Sequence, residues 1–361
     1  MPKATAERAQ PLYQRVIQDI CAHIESGQWR PGDKLPSEHA LCERYGVSQI
    51  TVRRALRELA QAGRVYSHHG LGWFVSVERA AQAAEVTLLL FDLNEGYAPV
   101  VHALAQALYP HGVVLRLALV EGPGEDEAEA VAGAIARGAG ALVLDVTGEE
   151  RRLIQRYHRL LRNVEIPVLF LRHEVNGLDV PAAILDEASC MEQLTRHILA
   201  LGHQRVAYAG NDPALVEGQR QYWGFATTLW DHGLELPLDW VFTGDLAAER
   251  EAARFRRAFQ GAERPTALVC ASALQAAEAM HLLRELELHC PEDVAIVALG
   301  DSAFAPLLPT PLTTFRLALA ELGQAAAQLL LELVAGHPVQ SVRLTGELVV
   351  RQSCGAHAAR T

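Results

Sequence analysis

The sequence predicts an α/β protein in two parts: a small unit of three helices and a hairpin, then a two-lobed domain with doubly wound parallel sheets. Two observations predict this arrangement. Through residue 76, apolar residues recur at helical spacing and then alternate around a glycine-rich turn. From residue 85 onward, short apolar strands alternate with helical stretches, the pattern of parallel β/α units. We expect one domain over 1–76 (the head), a linker over 77–84 and a second domain over 85–361 (the body).

The first two helices of the head follow from apolar spacing and caps. Apolar residues recur every three or four positions from Leu12 to Ile24, which predicts a helix over 11–26. Ser37 is a favourable N-cap for a second helix, and Gly46 is suited to end it.

The third helix and the hairpin complete a recognisable unit. Ser48 is placed to cap a helix that buries its apolar face and turns Arg53, Arg54 and Arg57 outward. Two short alternating strands then flank His69-Gly70-Leu71-Gly72. This order is that of a winged helix-turn-helix, in which the third helix enters the major groove of DNA and the hairpin reaches the minor groove. The alternative is a three-helix protein-interaction module with a solvated arginine face, which the ordered caps and glycine wing do not favour.

Residues 10–76 closely resemble the DNA-binding domain of GntR-type transcription regulators, through "LPSE", "VSQITVRRALRELAQAG" and "GLGWFV". The resemblance implies DNA contacts from two helix starts and the wing, to which we add the exposed Arg54. The predicted set is Ser37, Glu38, His39, Ser48, Gln49, Thr51, Arg53, Arg54, His69 and Gly70. His39 and Gln49 stand where many members carry arginine. Glutamine can pair with adenine, whereas arginine prefers guanine, so the resemblance implies DNA binding but does not fix the operator sequence.

Charge and composition agree with this division. The residues through 76 include ten Lys/Arg and seven Asp/Glu, whereas the whole chain has a net charge of −11. A basic head on an acidic body is typical of a protein whose head meets nucleic acid. No apolar run could span a bilayer, no signal-peptide pattern is present and the six cysteines are scattered, so we expect a cytoplasmic protein with no membrane partner.

The body shows two runs of β/α units. In the first we expect strands over 85–91, 112–120, 140–146 and 166–172, with helices over 97–110, 125–137 and 149–162. In the second we expect strands over 182–186, 205–210, 239–244, 266–272 and 294–300. Two runs predict two lobes, with ligands bound beyond the carboxyl ends of the strands in the cleft between them. A single large Rossmann sheet is the alternative, although no GxGxxG follows the first strand.

Residues 185–211, 224–234 and 309–316 look like the effector domain of lactose/galactose-type repressors, itself similar to type I periplasmic sugar-binding proteins. A GntR-type head on such a body resembles the arabinose-responsive repressor subclass. The resemblance implies a homodimer on a near-palindromic double-stranded DNA operator, released or tightened by a small-molecule effector such as a sugar or a sugar-like metabolite.

The sequence departs from that family at three ligand positions. Where sugar-binding members carry Arg, an Asn-Asp pair and Asp, this chain has Gln221, Ser272-Ala273 and Gly300, with Arg220 and Asp301 displaced by one residue. Since bidentate Arg and Asp contacts normally hold sugar hydroxyls, the departures indicate a different effector or none.

Polar residues at strand ends are the remaining candidates for the cleft. For each of them a helix cap, a turn or a surface charge is the alternative role. Together with the displaced positions, the predicted effector-binding set is Asp92, Asn94, Asp145, Arg172, His173, Asn211, Arg220, Ser272 and Asp301.

Catalytic classes find little support in the sequence. A pyridoxal-phosphate body needs a lysine, and the two lysines, Lys3 and Lys34, both lie in the head. No GxSxG or HExxH motif occurs, and the fifteen histidines have no paired metal spacing. We expect no enzyme activity, no cofactor and no metal. Two hypotheses remain: a ligand-responsive transcription regulator, or a DNA-binding protein whose body is only a dimerisation or partner scaffold.

Overall fold

The computed structural model describes residues 12–26, 28–29, 32–61, 64–68, 72–75, 85–93, 96–122 and 125–356. It contains two compact units, which we describe separately. The described residues up to 75, together with residues 331–338, belong to the first, and residues 85–330 and those from 339 onward form the second. Residues 69–70 of the wing tip, Asn94 and the expected linker over 77–84 lie outside the described residues.

The head contains three helices and a two-stranded hairpin. The helices are α1 (Leu12–Glu25), α2 (Glu38–Tyr45) and α3 (Gln49–Gln61), and the strands are β1 (Val65–His68) and β2 (Gly72–Val75). β1 and β2 pair antiparallel, with Val65 opposite Val75. Gly46 ends α2 at φ 62°, a left-handed conformation that costs glycine little.

The core of the head is the apolar face predicted for α3. Val52, Ala55, Leu56 and Leu59 are buried, together with Ile20 of α1 and other apolar residues. Burying this face leaves the opposite side of α3 in solvent, because 3.6 residues per turn place the two sets on opposite sides.

The body comprises two lobes. Up to the end of the first run its elements are β3 (Glu85–Leu90), α4 (Ala98–Leu108), β4 (Val114–Leu119), α5 (Glu125–Ala136), β5 (Ala141–Asp145), α6 (Glu150–Leu161), β6 (Val168–Arg172) and β7 (Ala182–Leu185). The chain continues with α7 (Glu187–Ala200), β8 (Val206–Ala209), α8 (Val216–Asp231), β9 (Val241–Phe242), α9 (Glu249–Gln260), β10 (Ala267–Cys270), α10 (Ala273–Glu285) and β11 (Ala295–Leu299). It ends with β12 (Thr313–Leu317), α11 (Leu319–Val334), β13 (Val342–Leu344) and β14 (Gly346–Val349).

Each lobe is built on a six-stranded sheet. The N lobe has the order β13-β7-β6-β5-β3-β4, all parallel, and the C lobe has the order β14-β12-β11-β10-β8-β9. In the C lobe the edge strand β14 runs antiparallel to β12. The expected α/β class with doubly wound lobes is confirmed, and the single-sheet alternative is wrong because the strands divide between two sheets.

The chain passes between the lobes three times. The crossings lie between β7 and α7, between β12 and α11, and between β13 and β14. Backbone hydrogen bonds tie them together: Asp186 N donates to the Leu344 carbonyl (2.7 Å) and Ala318 N to the Thr345 carbonyl (2.9 Å). Three connections close together make a hinge about which two lobes can open and close.

Strands β12, β13 and β14 were not among the expected strands. β13 and β14 have three and four residues and are only partly buried, so they lack the continuous apolar run that identifies the other strands. No helix in the described part of the chain is long and apolar enough to cross a membrane.

Candidate DNA-binding surface and ligand-binding cleft

Glu38 links three elements of the head. Its carboxylate accepts hydrogen bonds from Arg53 Nε (2.8 Å) and Gln49 Nε2 (3.2 Å) of α3, and from Trp73 Nε1 (3.4 Å) of β2. Partial burial raises the pKa of Glu38, but these hydrogen bonds outweigh burial and leave the pKa below its ordinary value. The carboxylate is therefore ionised and fixes the start of α2, the start of α3 and the wing strand against one another.

The first turn of α3 is held by Ser48. Its Oγ accepts from the backbone N–H of Thr51 (3.3 Å) and lies 2.9 Å from Thr51 Oγ1. Next to them Ile50 is 82 % exposed. A capped helix start with an exposed apolar side chain suits contact with base edges, where thymine offers a methyl group.

Arg53 and Arg54 face different neighbours. Arg53 is held by Glu38 beside the start of α2. Arg54 pairs with Glu58 (3.1 Å) and lies 3.9 Å from the centre of the Tyr13 ring. The contact with Tyr13 places Arg54 on the α1 side of α3. Arg53 is thus oriented toward the surface at the starts of α2 and α3, which is the predicted reading surface for base edges. Arg54 lies to the side of that surface.

Two other predicted DNA contacts, Ser37 and His39, lie at the start of α2. Ser37 caps α2 by accepting from the Ala40 N–H (3.2 Å). His39 is exposed, 3.5 Å from Glu43. Trp73 was not among the predicted contacts, which on the wing were only His69 and Gly70.

The cleft of the body contains a buried chain of hydrogen bonds. Tyr97, at the start of α4, donates its hydroxyl to Asp145 Oδ2 (2.6 Å) and accepts from Arg172 Nη1 (2.7 Å). Asp145 ends β5 and Arg172 ends β6, so the carboxyl ends of neighbouring parallel strands bring them together. Arg172 has φ 67°, a left-handed conformation that is uncommon for a non-glycine residue.

Arg172 extends this chain into the C lobe. Its Nη2 donates to Glu187 Oε1 of α7 (2.9 Å) and lies 3.5 Å from Glu217 Oε2 of α8. Gln221 donates to the second oxygen of Glu187 (2.8 Å) and accepts from Asn211 Nδ2 (3.2 Å). Side chains from both lobes therefore form one polar network across the cleft.

Backbone contacts also join the lobes beside this network. Val216 N donates to the Gly148 carbonyl (3.0 Å), and the backbones of Glu149 and Leu215 form an isolated antiparallel β-bridge. The side chain of Val216, from α8 of the C lobe, is buried in the apolar core of the N lobe. The structure thus shows the two lobes in contact at this edge of the cleft.

Burial dominates the electrostatics of the cleft. It raises the pKa of Asp145 to about 6, since Arg172 and the Tyr97 hydrogen bond lower it less than burial raises it, and the charges of Glu217 and Glu187 add to the rise. Burial likewise raises the pKa of Glu217 against the charge of Arg172. Burial, with the charges of Arg172 and Arg220, lowers the pKa of His173 well below its ordinary value, so this ring is neutral.

The structure brings together some of the predicted effector-binding residues and separates others. Asp145, Arg172 and Asn211 belong to the network, and His173 lies beside Arg172 and Arg220. Asp92 is exposed after β3.

Two C-lobe candidates have structural roles in this conformation. Ser272 caps α10 by accepting from the Gln275 N–H (3.2 Å). Asp301 forms ion pairs with Arg316 and Arg351, each at 2.8 Å, and accepts from Thr314. Asp301 therefore joins strands of the C-lobe sheet rather than the Arg172 network.

Three members of the network, Tyr97, Glu187 and Glu217, were not predicted from the sequence. Gln221 was noted only as a departure from the expected arginine and not as a side chain in the cleft. A signal for Glu187 was present, because it lies just beyond the carboxyl end of β7, and Asp145 lies at the carboxyl end of β5. Tyr97 and Glu217 lie at helix starts, and only the packing of the lobes shows that they meet Arg172. Among the described residues, no group of three or more His, Cys, Asp or Glu side chains is arranged to hold a metal ion.

These features define a class of protein: a winged helix-turn-helix unit joined to a two-lobed α/β domain with a polar cleft between its lobes. Residues 12–75 match the bacterial regulatory proteins of the gntR family, and residues 195–354 match the periplasmic binding protein-like domain. The chain therefore combines a GntR-family head with a periplasmic-binding-protein-like body.

Individual proteins of this kind are similar over most of the chain. The arabinose metabolism transcriptional repressor of Geobacillus stearothermophilus is 28% identical over 96% of this chain and 98% of its own. A solved LacI family transcriptional regulator from Mycobacterium smegmatis is 26% identical, with a TM-score of 0.63, over 74% of this chain and 98% of its own. A transcriptional regulator CelR-cellobiose complex shares the fold at 24% identity and a TM-score of 0.65, over 85% of this chain and 91% of its own.

Proposed function

We propose that this protein is a DNA-binding transcription regulator, acting as a repressor, whose affinity for DNA is controlled by a small molecule bound between the lobes of the body. The observation that carries the proposal is the polar network around Arg172, to which both lobes contribute side chains. A ligand that enters this network contacts both lobes at once. It therefore changes the balance between open and closed lobes, which is the requirement for a ligand-driven switch.

The proposed DNA partner is a double-stranded operator with two related half-sites. Glu38, Gln49 and Arg53 lie together at the starts of α2 and α3, where a helix-turn-helix meets base edges. We propose that a homodimer presents two heads to a near-palindromic site, because a two-fold symmetric protein matches a two-fold symmetric sequence. The boundaries 1–76 and 85–361 with a linker over 77–84 are part of this proposal.

A sugar-like metabolite is the first class of effector to test. The relative from Geobacillus stearothermophilus is named for arabinose metabolism, and the CelR structure is a complex with cellobiose. Hydroxyl groups suit the amide of Asn211 and the carboxylates of the network as hydrogen-bond partners.

A body that acts only as a dimerisation scaffold is the second candidate. It is favoured by Gln221 at the expected arginine position and by the ion pairs that occupy Asp301. In that case Arg172 simply fastens the two lobes, and no small molecule changes DNA binding.

The deciding experiment measures thermal stability and operator affinity of the full chain with and without arabinose, cellobiose and other small metabolites. A ligand that binds only the folded state raises the melting temperature, and an effector also changes the operator Kd. Arg172→Ala should abolish the ligand response. Arg196 is an exposed arginine paired with Glu192 on α7, so Arg196→Ala should retain the response. A protein that binds its operator identically with every compound supports the scaffold.

A further inference from the structure

The Arg172 network contains more negative than positive charge. Three carboxylates, those of Asp145, Glu187 and Glu217, surround the single guanidinium of Arg172. Arg220 is the other cation nearby, and its charge acts on His173. His173 adds no positive charge, because it is neutral when buried here. The carboxylates therefore outnumber the cations by three to two even when Arg220 is included.

Two of these carboxylates have oxygens that accept no hydrogen bond. Asp145 is 2 % exposed, and its Oδ1 has no partner in the described part of the chain, although Oδ2 accepts from Tyr97. Within the same described residues, no group donates a hydrogen bond to Glu217, whose nearest cation is Arg172 at 3.5 Å. A buried carboxylate oxygen without a donor costs free energy, so Asp145 Oδ1 favours an additional donor. The Glu217 side chain is 25% exposed, so its carboxylate is accessible to a donor that enters the cleft.

Other unpartnered polar atoms lie at the same place. His173 is fully buried, and among the described residues neither of its ring nitrogens has a hydrogen-bond partner; the same is true of Arg220 Nε. His173 directly follows Arg172 at the end of β6, and Arg220 lies on α8 next to Gln221, which donates to Glu187 of the same network. Buried polar groups are normally hydrogen-bonded, so a concentration of unpartnered atoms indicates a site for a polar ligand.

We propose that the ligand of this cleft carries a protonated amine, which donates to Glu217 and to Asp145 Oδ1. This inference rests on the proposed function and specifies the chemistry of its effector. A neutral sugar can donate hydroxyl hydrogens to the same oxygens, but it leaves the excess negative charge uncompensated. An ammonium group supplies both the donors and the charge, and charge-assisted hydrogen bonds are stronger than neutral ones. The polar atoms of His173 and Arg220 remain for hydroxyl groups of the same ligand.

Matched ligand pairs test the charge directly. We would measure the melting temperature and Kd of the full chain with glucose, glucosamine and N-acetylglucosamine, and with the corresponding galactose series. Arabinose and cellobiose complete the neutral set. We expect the amines to bind about tenfold or more tightly than their neutral partners, since a hydrogen bond to a charged group is worth more than a tenfold change in affinity. The N-acetyl compounds remove the charge while keeping the nitrogen, and should lose the preference.

A carboxylate variant tests the same idea both without ligand and with the matched ligand pairs. Glu217→Gln removes one negative charge with little change of shape, so it should raise the melting temperature of the ligand-free protein and abolish the preference for amines. Glu285→Gln is the matched control, because Glu285 is paired with Arg256 at 3.0 Å on the surface of the C lobe. This control should show neither effect.

The remaining outcomes separate the two proposals. Neutral sugars that bind as tightly as the amines overturn the inference and leave the proposed function standing. A lower melting temperature for Glu217→Gln shows that Arg172 already compensates Glu217, and it also overturns the inference. If no compound changes either stability or operator affinity, the proposed effector function fails together with the inference.

Discussion

At the scale of single residues, two carboxylates organise the two candidate sites. Glu38 is ionised and joins α2, α3 and the wing strand through three donors. Asp145 is buried at a strand end and receives fewer donors than its charge requires. The difference follows from their surroundings, since hydrogen bonds to a carboxylate lower its pKa and burial raises it.

Arg53→Ala should weaken operator binding by about 1–3 kcal/mol, because Glu38 aligns this guanidinium with the predicted reading surface. Operator affinity at fixed salt concentration is the measurement. Arg196→Ala, on the surface of the body, is the control and should leave the affinity unchanged. Equal affinity of Arg53→Ala and the native protein would remove Arg53 from the DNA-binding surface.

Asp145→Asn should increase the unfolding free energy of the body relative to the native protein, and this increase should be larger at neutral pH than at acid pH. The pKa of Asp145 is raised from 3.8 to about 6, so its favourable contribution is present below pH 3.8 and is lost as the pH rises through about 6. The advantage of asparagine should grow over this range to on the order of 2–3 kcal/mol. Unfolding free energies of both proteins at several pH values measure it.

The control for this pH dependence is Asp293→Asn, with the opposite sign. A backbone hydrogen bond from His289 and the charge of Arg264 hold the pKa of Asp293 below its ordinary value. The ionised carboxylate of Asp293 therefore stabilises the fold above its ordinary pKa. Asp293→Asn should become less stable relative to the native protein as the pH rises through that value. A pH-independent difference for Asp145→Asn would contradict the burial of an ionisable carboxyl.

At the scale of elements, close packing of α11 on α4 fixes one side of the N lobe. A Cβ atom added at Gly323 would lie 2.3 Å from the Val100 carbonyl oxygen and 2.9 Å from Ala103 Cβ. Backbone atoms cannot move aside as a flexible side chain can. The two helices approach this closely because residue 323 is glycine.

Gly323→Ala should destabilise the body by about 1–3 kcal/mol, the usual cost of inserting a methyl group into a packed interface. Chemical denaturation of the full chain measures this cost. Gly261→Ala is the control, because an added Cβ there meets no atom within 4 Å and its φ is −79°. Equal stabilities of the two variants would show that α11 moves away from α4 at little cost.

At the scale of the whole molecule, the proposed dimer makes DNA binding depend on the body. Two heads joined through their bodies bind two half-sites with a high effective concentration, whereas separate heads bind independently. A chain truncated after Ser76 should therefore bind the operator roughly 10²–10⁴-fold more weakly than the full chain. Circular dichroism of the truncated head must first show that it is folded. Equal affinities would mean that the body does not pair the heads.

Short-range features made much of this organisation predictable from the sequence. Ser37 and Ser48 identify helix starts, and the apolar strands of the body are continuous enough to recognise. Strand ends also led to Asp145, Arg172 and Asn211, which the structure joins through Tyr97, Glu187 and Gln221. By contrast, β13 and β14 escaped prediction because they are short and half-exposed.

The sequence by itself determined the helices of the head, the two runs of β/α units and the charge contrast between head and body. Each depends on residues close together in the chain, where periodicity and capping act. Only the tertiary structure decided that β13 and β14 enter different sheets, that Asp301 pairs with Arg316 and Arg351, and that Arg172 meets Glu187 and Glu217. These contacts join residues that are not neighbours in sequence, so they are set by the packing of whole lobes rather than by any local pattern.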